Sequence, residues 1–193
     1  MISENINSKK QKICIIGAGY IGAVIAAVLA EKGNFVYAVD INSEILKALN
    51  EGKSHINEPG LDKLIKKVVK TGNLLATNDF SVVNNSDVIV VTVGTPLQND
   101  GTADKSAIKS VVKRISPFIK DNQLIIIKST VPPFTTQEDV ANPLRKIANV
   151  NVAFCPERLA EGNAIEECKT IPVVVGGIDN RSGKKAKEFW ENN

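Results

Sequence analysis

The residues with the clearest chemical meaning form a glycine-rich segment near the start of the chain. Gly17, Gly19 and Gly22 stand in the spacing Gly-x-Gly-x-x-Gly. The segment follows an apolar run and precedes an alanine-rich helical pattern, and Asp40 ends the next apolar run. In this arrangement a tight turn, a close backbone approach and a helix N-terminus together bind a pyrophosphate. The segment therefore predicts a dinucleotide site.

Asp40 indicates which dinucleotide binds. A carboxylate at this position can accept hydrogen bonds from both ribose hydroxyls, and its charge repels a 2′-phosphate. Neither Ile41 nor Asn42 supplies an arginine that would offset this repulsion. We therefore expect NAD rather than NADP as the cofactor. The alternative is a plain strand-to-helix turn with a surface aspartate, which the combined spacing disfavours.

The elements that must position these residues alternate along the chain. Compact apolar runs predict strands, and amphipathic or alanine-rich patterns predict helices. The strands are expected at 12–17, 35–40, 74–77, 87–96, 123–130, 151–157 and 171–177, and the helices at 20–32, 43–50, 61–70, 106–118, 135–148 and from about 180. Ser43 is the expected N-cap of the second helix.

This alternation predicts one α/β domain. Its fold is expected to be a Rossmann-type, doubly wound, mainly parallel sheet with helices on both faces. We expect a polar tail at 1–11 and a single dinucleotide-binding domain at 12–193. No internal repeat or low-complexity linker divides that domain.

Composition excludes several classes of protein. The 193 residues carry a net charge of only +3, evenly spread, so a nucleic-acid partner is not expected. No apolar run is long enough to span a bilayer, and the N-terminus lacks a secretory pattern, so no membrane partner is expected. Three cysteines without a close pair, Cys14, Cys155 and Cys168, favour a reduced, cytoplasmic setting. His55, the only histidine, is expected at the surface with no metal role.

Five further motifs follow the glycine segment in a fixed order. They are EPGL at 58–61, VGTP at 93–96, KSTVPP at 128–133, CPERLAEG at 155–162 and TIPVVVGG at 170–177. Together they resemble the N-terminal NAD-binding domain of the UDP-glucose/GDP-mannose dehydrogenase family. The Pro-Glu-Arg form resembles the branch that acts on UDP-N-acetylhexosamines. EPGL also has a purely structural explanation, Pro59 at the first position of a helix.

The resemblance implies an activity and a set of site residues. The family oxidises a sugar C6 alcohol to a carboxylate in two NAD-dependent steps. Besides the three glycines and Asp40, the cofactor would contact Tyr20, Ile21, Val93, Gly94, Thr95, Ser129 and Thr130. Thr130 and Glu157 would be catalytic, with Thr130 binding a water or the C6 oxygen and Glu157 activating water. Glu157, Arg158 and Leu159 would contact the UDP-sugar.

Simpler explanations of the two catalytic candidates remain at this point. Thr130 could merely shape the turn before two prolines, and Glu157 could be a solvated loop residue. Both follow apolar strands, however, and ligands of open α/β sheets bind beyond the carboxyl ends of the strands. The order of the motifs therefore favours the functional interpretation.

The chain also departs from the family pattern. Phe134 follows KSTVPP where the family usually has glycine, and we expect it to shift the helix entry or narrow the site. The family's catalytic cysteine, with a lysine and an asparagine, belongs to a later segment that these residues do not include. Cys155 is therefore expected to be a bystander. The isolated chain is expected to be inactive and monomeric, whereas the resemblance implies a homodimer for the intact family member. The alternatives are a UDP-glucose or GDP-mannose 6-dehydrogenase domain and a non-catalytic NAD-binding module.

Overall fold

The centre of the fold is a seven-stranded sheet with the order β3-β2-β1-β4-β5-β6-β7. The computed structural model describes residues 10–193, so residues 1–9 of the predicted tail lie outside it. The strands are β1 Lys12–Ile16, β2 Phe35–Val39, β3 Leu74–Thr77, β4 Val88–Val91, β5 Leu124–Ile127, β6 Asn151–Phe154 and β7 Gly176–Gly177. The first six strands are parallel, which confirms the predicted doubly wound arrangement.

Helices cover both faces of the sheet. They are α1 Tyr20–Glu31, α2 Ser43–Asn50, α3 Leu61–Lys70, α4 Ser106–Ile115, α5 Asn142–Arg145, α6 Ala164–Thr170 and α7 Asn180–Glu191. Successive residues of β1 alternate between two cores, because side chains of a strand point to opposite faces. Ile13 and Ile15 pack with α1, α3 and α7, whereas Cys14 and Ile16 pack with α4 and α5.

Local sequence explains where these helices begin. Nine consecutive residues of α1 are buried, as its small and apolar side chains allow. The predicted Ser43 cap is wrong by one residue, because the Asn42 side chain accepts from the backbone N–H groups of Glu44 and Ile45. Gly60, in the left-handed conformation, precedes α3, so Pro59 lies outside the helix and the predicted first-position role is also wrong.

The helix predicted at 135–148 forms without a break over 135–145, but most of it has π-helical geometry. A π-helical turn, Thr136–Ala141, precedes α5, and Asn142 N donates to the carbonyl of Gln137, five residues back. Proline has no N–H and cannot donate an α-helical hydrogen bond. The wider π-helical turn immediately precedes the short α-helix that contains Pro143.

The last predicted strand is mostly not part of the sheet. Only Gly176–Gly177 pairs, antiparallel to β6, while 171–175 packs its alternate side chains on the core without a strand partner. Helix α6 was not predicted, although Asn163 followed three residues later by Glu166 is a capping pattern that could have indicated it. Within residues 10–193, no helix has the length and apolarity needed to cross a membrane.

Candidate functional site

The glycine turn has the backbone conformation that its spacing predicts. Gly17 has φ +95°, and a Cβ there would lie 3.0 Å from the Val93 backbone nitrogen. A Cβ on Gly22 would lie 1.8 Å from the Gly17 carbonyl oxygen, so any larger residue would separate helix α1 from the turn. Among residues 10–193, no atom lies within 4 Å of a Cβ placed on Gly19. Gly19 therefore leaves open space in front of the helix.

The N-terminus of α1 is suited to an anion. Gly19 is its N-cap and supplies no side-chain hydrogen bond, and the first turn contains no acidic residue. The free N–H groups and the positive end of the helix dipole thus face the space that Gly19 leaves open. A pyrophosphate fits this cradle without displacing a side chain.

Asp40 is fixed against the same turn. Its Oδ2 accepts from the Ala18 backbone nitrogen at 2.6 Å, and its Oδ1 accepts from that of Asn42 at 2.9 Å. The carboxylate therefore stands beside the glycine turn, at the end of β2. Two oxygens with remaining lone pairs can still accept from ribose hydroxyls.

Side-chain hydroxyls join the loops that follow β1, β4 and β5. Thr92 Oγ1 donates to the Gly17 carbonyl at 2.6 Å, and Ser129 Oγ donates to the Val93 carbonyl at 2.6 Å. Thr95 Oγ1 donates to the Thr130 carbonyl at 2.6 Å. These bonds bring most of the predicted cofactor residues into one continuous surface at the carboxyl edge of the sheet. Ile21, by contrast, packs partly buried against the core.

The predicted catalytic carboxylate is held on three sides. Glu157 Oε1 accepts from the backbone nitrogens of Arg158, at 2.6 Å, and Leu159, at 2.8 Å. Its Oε2 lies 3.1 Å from Lys128 Nζ, an ion pair whose angles are not those of a hydrogen bond. Lys128 is 5% exposed, and its ammonium lies 5.1 Å from the centre of the Trp190 ring. The lysine therefore stabilises the carboxylate from the interior side.

A second buried carboxylate joins three segments of the chain. Glu58 accepts from the Tyr20 hydroxyl and from the backbone nitrogens of Gly162 and Ala164, both at 2.8 Å. Burial alone would raise the pKa of Glu58, but these hydrogen bonds, with one from Ile165, outweigh it and lower the pKa. Burial and the contact with Glu58 raise the pKa of Tyr20, which stays a donor.

Not every predicted site residue is enclosed. Arg158 is exposed and donates from Nη1 to the Pro172 carbonyl at 3.3 Å, and Thr130 is exposed at the end of its loop. Leu159 is partly buried against the core. The guanidinium and the Thr130 hydroxyl are thus available to a ligand at the same edge of the sheet.

His55 is not the surface residue that the sequence suggests. Both of its ring nitrogens are buried and unpartnered among residues 10–193. Burial lowers the pKa of His55, and the nearby charge of Asp40 opposes this only in part. Burial therefore favours the neutral imidazole. In the same described range, no group of three or more His, Cys, Asp or Glu side chains is placed to hold a metal ion.

The sequence patterns did not predict the roles of three residues of the site. Thr92 carried no signal beyond its position after an apolar strand. Lys128 directly follows the fully apolar strand β5, a position that indicates a buried ammonium with a specific partner. Glu58 precedes Pro-Gly in a loop, and nothing local shows that it contacts residues 38 and 104 positions away.

A glycine turn at the switch point between β1 and β4, with an acidic residue ending β2, defines a dinucleotide-binding Rossmann domain. The sequence profile of the UDP-glucose/GDP-mannose dehydrogenase family, NAD binding domain, matches residues 11–193. The chain belongs to this family and is its NAD-binding domain.

Curated relatives are similar over most of the chain. UDP-N-acetyl-D-mannosamine dehydrogenase of Methanococcus aeolicus is 38% identical over 93% of this chain and 41% of that protein. The protein of the same name from Campylobacter jejuni is 34% identical over 93% of this chain and 47% of that protein. The chain thus spans less than half the length of these relatives.

Solved structures are similar to the same extent. UDP-D-ManNAc dehydrogenase from Pyrococcus horikoshii superimposes with a TM-score of 0.89 at 30% identity, covering 94% of this chain and 44% of that one. GDP-mannose dehydrogenase from Pseudomonas aeruginosa, a ternary complex, gives 0.87 at 33% identity, covering 93% and 44%. The Rossmann fold of the family is therefore confirmed.

Proposed function

We propose that the chain is the NAD-binding part of an enzyme that oxidises the C6 alcohol of a UDP-N-acetylhexosamine to a uronate in two NAD-dependent steps. The observation that carries this proposal is the open glycine turn beside Asp40, continuous with the loops after β4, β5 and β6. The Pro-Glu-Arg motif and the names of the relatives support a UDP-N-acetylhexosamine as the substrate. A homodimer is proposed only for the longer protein.

Each candidate residue has a separate proposed role. The N-terminus of α1 would hold the pyrophosphate, and Asp40 the adenosine ribose. Bound NAD supplies the hydride acceptor. The Thr130 hydroxyl, on a loop held by Thr95, would bind a water or the C6 oxygen. Glu157 would orient and activate water with a carboxylate whose position two backbone N–H groups and Lys128 restrict.

The test is cofactor selectivity, measured by calorimetric titration of the chain with NAD and with NADP. We expect NAD to bind more tightly, because Asp40 repels a 2′-phosphate. Asp40→Ala should weaken NAD binding by about 1–3 kcal/mol, the usual cost of losing hydrogen bonds to a charged group. Equal or tighter binding of NADP by the unchanged chain would contradict the proposal.

Asp87→Ala is the matched control. Asp87 accepts from the Lys12 backbone nitrogen at 2.9 Å, much as Asp40 accepts from Ala18, but at the amino end of β1. Both substitutions leave a strand or turn N–H without its carboxylate partner. Only Asp40→Ala should change NAD affinity, whereas an equal loss in both variants would show that the effect is structural.

A further inference from the structure

Glu58 has a set of contacts that the proposed chemistry does not use. Its side chain lies in the loop before α3 and is 6% exposed. It accepts hydrogen bonds from Tyr20, Gly162 and Ala164, which belong to two other parts of the chain. These donors fix the position of the carboxylate, because the loss of any one of them would leave part of a buried charge without a hydrogen-bond partner.

Part of this arrangement is helix capping. Asn163, the N-cap of α6, makes no side-chain capping bond, and Glu58 accepts from the first N–H of the helix instead. Capping does not explain the rest. The Gly162 nitrogen approaches Glu58 Oε2 at 2.8 Å and the Tyr20 hydroxyl at 3.0 Å, and that hydroxyl itself donates to Glu58. Tyr20, Glu58 and Gly162 thus form a closed triangle of hydrogen bonds.

The triangle connects the two halves of the proposed site. Tyr20 is the first residue of α1, so its backbone belongs to the turn that would hold the pyrophosphate. Gly162 ends the segment 158–162, which begins with Arg158 and Leu159, the proposed contacts of the sugar nucleotide. The Tyr20 hydroxyl therefore links the glycine turn directly to Gly162 and Glu58.

We propose that Glu58 is a positioning residue. Through Glu58, the NAD-occupied glycine turn would determine the conformation of the segment 158–162, which would hold the nucleotide sugar, and of Ala164 just after it. The proposal rests on the proposed function, because it requires NAD to bind at the glycine turn. It adds a residue that acts on neither the cofactor nor the sugar directly, and it predicts an order in which cofactor binding prepares the sugar site.

The experiment follows backbone amide signals of the ¹⁵N-labelled chain by NMR during titration with NAD. We expect the signals of Gly162 and Ala164 to shift over the same NAD concentrations as those of Gly19 and Gly22. In Glu58→Gln, which keeps the size of the side chain but has one acceptor oxygen instead of two, the shifts at Gly162 and Ala164 should fall at least threefold. The shifts at Gly19 and Gly22 should remain.

Glu31→Gln is the matched control. Glu31 also joins α1 to α6, through an ion pair with Lys169 at 2.9 Å, but it lies at the far end of α1 from the turn. This variant should keep the full response at Gly162. If Glu58→Gln does not fold, Glu58→Asp, which keeps the charge but withdraws it by one methylene, takes its place.

The outcomes separate the two proposals. If no signal of the turn shifts with NAD, the proposed function fails, and this inference fails with it. If the turn responds and Gly162 does not, or if Glu58→Gln keeps the full response at Gly162, only the role of Glu58 is overturned. A loss of the response in Glu31→Gln as well would assign it to general loosening of α6.

Discussion

At the scale of one residue, the backbone of Phe134 explains why the family usually has glycine at this position. Its φ is +68°, in the left-handed region that bulky side chains rarely adopt, and the side chain is 72% exposed. The expectation that Phe134 shifts the helix entry or narrows the site remains a prediction. The backbone conformation itself is required, because the Phe134 carbonyl accepts from Glu138 N at 2.8 Å as the π-helical turn begins.

Phe134→Gly should therefore stabilise the domain. A non-glycine residue in this region costs about 1–3 kcal/mol, and the extra freedom of glycine in the unfolded chain costs about 0.5–1 kcal/mol. The expected net gain is about 1 kcal/mol in the free energy of unfolding, measured by urea denaturation. Phe134→Ala keeps a Cβ and should change little, so an equal gain in both variants would assign the effect to the exposed ring.

At the scale of elements, Asp179 and Arg145 join the start of α7 to the end of α5. Asp179 Oδ1 accepts from Ser182 N at 2.8 Å, which caps the helix, and its Oδ2 pairs with Arg145. The backbone hydrogen bond from Ser182, followed by the Arg145 guanidinium, lowers the pKa of Asp179 to about 2. Ser182 is fully buried and accepts from Val152 N of β6, so the cap also positions the helix.

The contribution of Asp179 to stability should depend on pH in a defined direction. Its folded pKa lies below the unfolded value of about 3.9, so the stabilisation is complete above about pH 4 and is lost as pH falls towards 2. The difference in unfolding free energy between the unchanged chain and Asp179→Asn should therefore decrease over that window. We expect it to start at only about 1 kcal/mol, because the Asp179 side chain is 40% exposed and solvent weakens the ion pair.

Urea denaturation at several pH values between 2 and 6 measures this difference. Asp104→Asn is the control, because Asp104 accepts from Ser106 N at 2.8 Å and has no cationic partner within residues 10–193. Its difference should depend on pH less strongly. A difference for Asp179→Asn that stays constant from pH 6 to pH 2 would show that the charge of Asp179 contributes nothing.

At the scale of the whole domain, all three thiols are wholly or partly buried. Cys14 and Cys155 are fully buried, and Cys168 is partly buried on α6. Burial raises the pKa of all three thiols, in the case of Cys168 to about 11. Since the thiolate is the reactive form, burial disfavours all three as nucleophiles at neutral pH.

The isolated chain should therefore form no NADH from UDP-N-acetylmannosamine, UDP-glucose or GDP-mannose. The first step, alcohol to aldehyde, would need the lysine and asparagine that the family has in a later segment, which these residues do not include. The second step, aldehyde to acid, would need in addition a covalent adduct, and none of the three wholly or partly buried cysteines is placed to form one. Absorbance of the reduced nicotinamide measures the product. Turnover by the purified chain that Cys155→Ser abolishes would contradict both this expectation and the bystander role of Cys155.

The same assay on the full product of the gene compares the three sugar nucleotides. Preference for UDP-N-acetylmannosamine is the expected result, from the Pro-Glu-Arg motif at Arg158. Preference for UDP-glucose or GDP-mannose would select the alternative branch. Absence of turnover with all three, in the full product, would favour a non-catalytic NAD-binding module.

Features of this protein that depend on neighbouring residues were determined by the sequence alone. The spacing of Gly17, Gly19 and Gly22 predicted the turn correctly. The positive φ of Gly17 and the close backbone approach at Gly22 admit only glycine, whereas Gly19 leaves open space in front of the helix. The six parallel strands were predicted because strands buried on both faces are continuous apolar runs. Asp40 was predicted at the turn because its distance along the chain from the glycines is set by one strand-helix-strand unit.

Features that depend on distant residues were decided only by the tertiary structure. Gly162 meets Tyr20 across 142 positions and Glu58 across 104, and no local pattern records such a contact. The same holds for Lys128 facing Glu157, for the burial of His55, and for 171–175, whose apolar residues cover the core instead of joining the sheet. A buried charge or an apolar run in the sequence indicates that a packing or hydrogen-bonding partner is needed. Only the packing of the whole chain determines which residue that partner is.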